Sequence, residues 1–224
     1  MINLIWDIDG TLLSTRGLGA NPFCEAFTEH TGCPAKIEKK KLSGFTDFEI
    51  ALSLMEDAGI QEDILLAEKI LNTFSSKLQK ILSAAPPLIL GDVLPTLKFV
   101  KSSKFLSNSI GSGNFLTGAI IKLKSAGLFE FFEEGEFFVA TTKLWNRDSI
   151  IESATKANPE TRKLVIGDSP RDILSARHSQ LPILAVATGQ HSYDELQALE
   201  PNFILDADWK LQDFLQVIEE YASI

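Results

Sequence analysis

The chain has 224 residues, 45% of them hydrophobic, and a formal net charge of −9. This length suits one large α/β domain or a core domain carrying a smaller insert, and the apolar fraction is enough for a sizeable core. The negative charge argues against a general nucleic-acid or anionic-membrane binder, although a local basic group or a bound cation can still invert the field of a cleft around a small anion.

Ile2-Asn3-Leu4-Ile5-Trp6 is a short apolar run that reads as a buried strand. Asp7-Ile8-Asp9-Gly10-Thr11-Leu12 follows it directly. Residues i and i+2 of a strand share a face, so the two carboxylates are presented side by side where the backbone turns. Like charges held that close repel. A divalent cation, a nucleophilic carboxylate and an acid/base carboxylate are three uses that justify keeping them.

From about Gly17 to Leu82 the pattern is helical, with no convincing strand. Ala20–Thr31 and Phe48–Ala58 carry apolar residues at helical spacing, and Ile64–Leu82 does so most clearly, through Leu65, Ile70, Leu71, Phe74, Leu78, Ile81 and Leu82. Ala85-Pro86-Pro87 ends it. Strands and helices then alternate: strand Phe105–Ile110, a turn at Gly111-Ser112-Gly113-Asn114 and helix Phe115–Ala126; strand Glu136–Ala140 and helix Asp148–Ala157; strand Lys163–Ile166 and helix Arg171–His178; strand Pro182–Val186 and helix Tyr193–Leu199; strand Phe203–Leu205 and helix Leu211–Tyr221. Alternation of this kind predicts a doubly wound parallel α/β sheet covered on both faces. The helical block becomes an insertion: residues 1–15 and 89–224 form the core, and residues 16–88 form a lid.

Ligands of open α/β sheets bind at the carboxyl ends of the strands. Polar residues fall there in three places: Asp7 and Asp9; Gly111-Ser112-Gly113-Asn114, whose backbone N–H groups favour a phosphate; and Gly167-Asp168-Ser169-Pro170-Arg171-Asp172, with Pro170 suited to a helix's first turn. Mg²⁺ takes one or two carboxylates with waters and a phosphate oxygen. The chemistry that fits is phosphoryl transfer, in which an aspartate can attack phosphorus and a second can move the proton. Lys143 and Arg147 are both candidates for a protein cation on the phosphate.

The pattern resembles the haloacid dehalogenase-like superfamily of hydrolases over essentially the whole chain. Asp7-Ile8-Asp9-Gly10-Thr11-Leu12 is similar to the family's first motif, Ser112 in Gly-Ser-Gly-Asn to its second, and Gly167-Asp168-Ser169-Pro170-Arg171-Asp172 to its fourth. The resemblance implies a Rossmannoid core with an α-helical cap. It implies Asp7 as nucleophile and Mg²⁺ ligand, and Asp9 as general acid/base with its backbone carbonyl on the metal. Asp168 would be a further ligand and Asp172 its support, with Ser112, Gly10, Gly113 and Asn114 around the phosphate. The third motif is usually a lysine; within the phosphoglycolate-phosphatase-like branch an arginine before this helix often takes its place. That favours Arg147 over Lys143, and a bidentate guanidinium suits phosphate. Ser43-Gly44-Phe45-Thr46-Asp47 resembles the branch's cap loop, which makes Gly44, Thr46 and Asp47 candidate substrate contacts. Thr188-Gly189-Gln190-His191, Ser192 and Tyr193 resemble the branch's region after the fifth strand.

The implied activity is a Mg²⁺-dependent phosphatase acting on a small phosphorylated metabolite through an aspartyl-phosphate. The alternatives are a phosphomutase of the β-phosphoglucomutase kind and a non-catalytic phosphate-binding module. Asp9 argues against a 2-haloacid dehalogenase, which needs no acid/base there. His30, His178 and His191 fall on no motif, and Lys36-Ile37-Glu38-Lys39-Lys40-Lys41 reads as a solvated cap surface. Cys24 and Cys33 match no zinc spacing and read as reduced thiols. No run is apolar enough to span a membrane. The diacid strand starts almost at Met1, which predicts no cleavable leader. The expectation is a cytoplasmic monomer or loose homodimer that binds neither nucleic acid nor membrane.

Overall fold

The computed structural model describes residues 1–37, 44–133 and 135–223. The chain opens with β1 (Ile2–Trp6), a wholly buried strand, and a short β2 (Leu13–Ser14). Three helices follow: α1 (Ala20–Thr31), α2 (Asp47–Asp57) and α3 (Ile64–Ala84). The chain returns through β3 (Leu88–Ile89), which pairs antiparallel with β2 and ties the exit and re-entry of the helical block together. Then come α4 (Val93–Ser102), β4 (Leu106–Phe115), α5 (Leu116–Ser125), β5 (Phe137–Ala140), α6 (Arg147–Lys156), β6 (Arg162–Gly167), α7 (Pro170–His178), β7 (Ile183–Val186), α8 (Tyr193–Gln197), β8 (Phe203–Leu205) and α9 (Leu211–Ser223).

Six strands form one parallel sheet in the order β5-β4-β1-β6-β7-β8. The central strand shows why it is apolar throughout. Ile2, Leu4 and Trp6 face one layer, where Trp6 stacks on Phe214 of α9 with centroids 5.8 Å apart; Ile5 faces the other, against Ile151 of α6 and Ile173 of α7. A parallel strand covered on both faces needs this composition. The period of two then continues past the strand end, burying Ile8 and leaving Asp7 and Asp9 for the carboxyl edge.

The inserted helices carry their own core: Phe23 and Phe27 of α1, Phe48, Leu52 and Met55 of α2, and Ile70, Leu71, Phe74 and Leu78 of α3. The Phe23 and Phe74 rings lie 4.9 Å apart. The insertion also rests on the sheet layer, because α3 packs along α5 and Phe115 joins the same cluster.

The largest departure from the expected elements lies at Gly111–Asn114. Glycine content predicts a turn here; the residues instead continue β4 to Phe115. The glycines serve close approach. A Cβ at Gly111 would sit 2.4 Å from Ile5 Cγ2, and one at Gly113 would sit 2.9 Å from the Thr46 Cα of the insertion. The β4–β5 register shifts between Ser112 and Phe115. That irregularity interrupts the ladder at Gly113 and Asn114, so the anticipated role of a polar strand end survives without the turn. The helix α4 and the two short strands β2 and β3 had no counterpart in the sequence reading.

Candidate active site

The carboxyl ends of β1, β4 and β6 converge with the start of α6. Asp7 is buried at the end of β1, and its N–H donates to Ile166 O of β6 at 2.9 Å. Gly10, at φ +89, turns the chain away from the sheet in a conformation that favours glycine. Thr188 Oγ1 donates to Gly10 O at 2.5 Å and holds this turn.

Carboxylate oxygens of Asp7, Asp168 and Asp172 lie within 4.8 Å of one another, and all three residues are buried. Thr11 Oγ1 donates to Asp168 Oδ1 at 3.0 Å. Burial, then the charge of Asp7, push the Asp168 carboxyl up to about 8. Several carboxylates cannot all hold their charge in one buried place without a cation, and the donor set is all oxygen, as a hard divalent ion requires. The residues fit Mg²⁺: Asp7 and Asp168 would hold it, with Asp172 alongside. The carboxylate of Asp9 stands apart from this group.

Arg147, the first residue of α6, is buried beside the cluster. Its guanidinium donates to Asp7 Oδ1 at 3.1 Å and pairs with Asp172 Oδ1. Its Nε is buried without a hydrogen-bond partner among the described residues, a donor suited to an anion's oxygen. Lys143, the rival cation, is exposed. Asp172 is oriented independently by a capping box at the start of α7, where the Ser169 N–H and Oγ donate to Asp172 Oδ2 at 3.0 and 2.7 Å. Ser112 is fully buried on β4, its Oγ accepting the N–H of Asn114 at 3.4 Å.

Asp9 has a different environment. Its Oδ2 accepts from Asn114 Nδ2 at 2.8 Å and from Lys122 Nζ, and Lys122 Nζ also donates to Asn114 Oδ1 at 2.7 Å. The three side chains close a ring of polar contacts. Burial works against the Lys122 ammonium, but the carboxylates of Asp9 and Asp47 outweigh it and hold the lysine above its usual range. The Asp9 side chain keeps 38% exposure against 10% for Asp7, so Asp9 is the carboxylate of the pair open to water.

Lys122 was not anticipated. The signal available was a lysine on the apolar stripe of a helix, between the buried Ala119 and Leu123 of α5, where a charge is rarely buried unless paired. Asn114 also changes role. It lines the cavity as expected of a substrate contact, but its amide is committed on both sides to Asp9 and Lys122.

The cap-loop candidates divide. Thr46 is a correction: it is fully buried, caps α2 by accepting the Glu49 N–H at 3.1 Å, and donates to Trp145 O at 2.5 Å. The hydroxyl is thus engaged in fastening the insertion to the core, and Thr46 does not line the cavity. Glu49 completes the capping box and takes Arg171 at 3.0 Å, while that guanidinium lies 3.7 Å from the Phe45 ring centre. Gly44 and Asp47 line the cavity, as do Gly10 and Gly113. Ser43 and the segment Glu38–Lys41 of the basic run lie outside the described residues.

Asp47 is buried and accepts the Phe115 N–H at 2.8 Å, which joins α2 to the start of α5. Burial pushes its carboxyl up to about 6 in spite of Lys122 and this hydrogen bond. Below about pH 4 the folded and unfolded chains both hold this proton; as pH rises through 6 the unfolded chain loses it first, and stability falls. Asp47→Asn, whose amide oxygen can accept the same N–H, is therefore expected to change stability little at pH 4 and raise it by about 3 kcal/mol at pH 8. Urea unfolding at the two pH values checks this.

The site opens into a cavity of about 360 Å³ between the insertion and the sheet, floored by Asp7, Arg147 and Asp168. Residues 4–186 match the family model described as haloacid dehalogenase-like hydrolase. A curated relative, the probable phosphatase IndB of Dickeya dadantii, is 23% identical over 212 residues, covering 91% of this chain and 88% of that protein. Among solved structures, the β-phosphoglucomutase of Clostridium difficile superposes with a TM-score of 0.72 at 21% identity over 100% of both chains. A predicted phosphoglycolate phosphatase of Haemophilus somnus does so at 0.69 and 15%, covering 97% of each chain. At these identities the structural likenesses establish the fold.

Proposed function

The chain belongs to the haloacid dehalogenase-like hydrolases, and on that footing we propose that it is a Mg²⁺-dependent phosphatase of small phosphomonoesters. The observation that carries this reading is the division of labour between the two aspartates. Asp7 sits in a buried carboxylate cluster against Arg147, and Asp9 is held apart, half-open to the cavity, by Asn114 and Lys122.

In this reading Asp9 enters the cycle protonated; the Asp7 carboxylate attacks phosphorus, the bond to the ester oxygen breaks, and Asp9 gives that oxygen its proton. An aspartyl-phosphate remains. Asp9, now a carboxylate, takes a proton from an attacking water, phosphate leaves, and Asp7 is restored. Arg147 and the Gly113 N–H hold the phosphoryl oxygens, the fully buried Ser112 hydroxyl lies behind them against the Asn114 N–H, and Lys122 with Asn114 keeps Asp9 aimed from one side. Bound Mg²⁺ would neutralise the carboxylates and the phosphoryl charge.

No helix among the described residues is long and apolar enough to cross a membrane. A free metabolite as substrate, a cytoplasmic location, residues 16–88 acting as the cap and a monomer or loose homodimer complete the proposal.

The test is phosphate release from an aryl phosphate. Release is expected with Mg²⁺, lost on adding EDTA and restored by excess Mg²⁺. Folded protein that releases no phosphate from any monoester, or releases it equally in EDTA, overturns the reading. Interconversion of sugar phosphates without net release identifies the phosphomutase alternative.

A further inference from the structure

The insertion presents a carbon surface to the cavity. Ala20 and Phe23 of α1, Ile37, Phe45, Ile50 of α2 and Phe74 of α3 line it. The Phe23 and Phe74 rings are almost wholly buried and brace one another at 4.9 Å. The charged group that the insertion adds to the described lining is the carboxyl of Asp47. The two cations among the described lining residues both belong to the core, and both already face carboxylates on the floor side of the cavity. Arg147 is bound to Asp7 and Asp172, and Lys122 to Asp9 and Asn114. The uncharged polar lining side chains, Ser14, Thr15, Asn114, Ser169, Thr188 and Gln190, come from the core segments.

With Asp9 as the acid, a phosphoryl group on the floor would turn its ester oxygen towards Asp9 and its leaving alcohol towards this wall. A carboxylate on that alcohol would give up its hydration to face aromatic and aliphatic carbon, with Asp47 repelling it. A ring of hydroxyls would lose water hydrogen bonds against the same surface. An uncharged apolar body loses nothing there and leaves water.

We propose that the leaving alcohol of the substrate is uncharged and mainly apolar, an aryl or branched-alkyl group seated against Phe23, Ile50 and Phe74, and that Asp47 turns away leaving groups bearing a carboxylate. This inference rests on the phosphatase reading and names its substrate class. The specificity residues are on α1, α2 and α3, so they select the alcohol without touching the phosphorus.

The experiment compares kcat/KM for benzyl phosphate, phosphoglycolate and glucose 6-phosphate on the full chain with Mg²⁺. Benzyl alcohol is an ordinary primary alcohol, so the comparison reads the fit of the leaving group and not an activated ester. Benzyl phosphate is expected to be preferred about 100-fold, the scale that a hydrophobic pocket supplies for a few carbons. Asp47→Asn, nearly isosteric, is expected to raise kcat/KM for phosphoglycolate about tenfold relative to benzyl phosphate, by removing the repelling charge. Binding of non-hydrolysable analogues gives a second readout: benzylphosphonate is expected to bind more tightly than phosphonoacetate. Phosphate release that favours phosphoglycolate or glucose 6-phosphate, or an Asp47→Asn variant with unchanged preference, overturns this inference and leaves the phosphatase reading standing. Release from none of the esters, with benzylphosphonate still the tighter ligand, overturns the phosphatase reading and supports the apolar pocket. Equal binding of the two phosphonates overturns the pocket itself.

Discussion

Asp7→Asn is expected to abolish phosphate release, lowering kcat by about 10⁴-fold or more, while the protein stays folded. An amide at this position has the shape of the carboxylate but cannot attack phosphorus. The same substitution removes one of the charges that push Asp168 upward, so metal-free protein should unfold at the same temperature as the parent or higher. The paired result is diagnostic: a lost reaction with undiminished stability marks Asp7 as chemical, whereas a destabilised variant would mark it as a structural partner of Arg147. Steady-state phosphate release and thermal melts with and without Mg²⁺ provide the measurement. Full activity in Asp7→Asn would refute the nucleophile assignment.

Lys122→Met should have the second-largest effect. Methionine fills most of the lysine's volume, so the buried stripe of α5 keeps its packing and the charge alone is lost. Asp9 then retains Asn114 but loses the ammonium that shares its Oδ2. We expect kcat to fall about 10²-fold, the range associated with a misplaced acid/base, with KM changed much less. Stability should fall too: water can reach Asp9, which keeps 38% side-chain exposure, but the buried Asp47 also loses the ammonium that favours its charged form. Lys122→Arg, which retains charge but not the compact ammonium, should recover stability more fully than turnover. A Lys122→Met enzyme with unchanged kcat would reduce the lysine to a structural counter-charge.

Much of the site was legible because it is written locally. Asp7 and Asp9 are two residues apart at a strand end, Asp168 and Asp172 are four apart across a helix start, and each spacing presents its carboxylates at one place. Pro170 announces the start of α7, and the structure adds a capping box at Ser169. Helix spans were read nearly to the residue in the insertion, where long apolar stripes at a period of 3.6 leave little ambiguity. The glycines of β4 were misread because glycine content signals a turn and a close approach equally; the decisive contacts, from Ile5 and Thr46, come from segments far away in the chain. The strands β2 and β3 are two residues each, too short for any period.

The sequence by itself determined the α/β class, the alternation of the longer strands and helices, and the carboxylate pairs at the sheet's edge, because periodicity and short spacings are properties of neighbouring residues. Only the tertiary structure decided which of those groups meet. It set Arg147 rather than Lys143 against Asp7, 140 residues away in the chain, and withdrew Thr46 from the site to fasten the insertion. It also brought Lys122, 113 residues from Asp9, to the second carboxylate. A buried charge is tolerated only beside its partner, and that partner is chosen by how the sheet and helices pack.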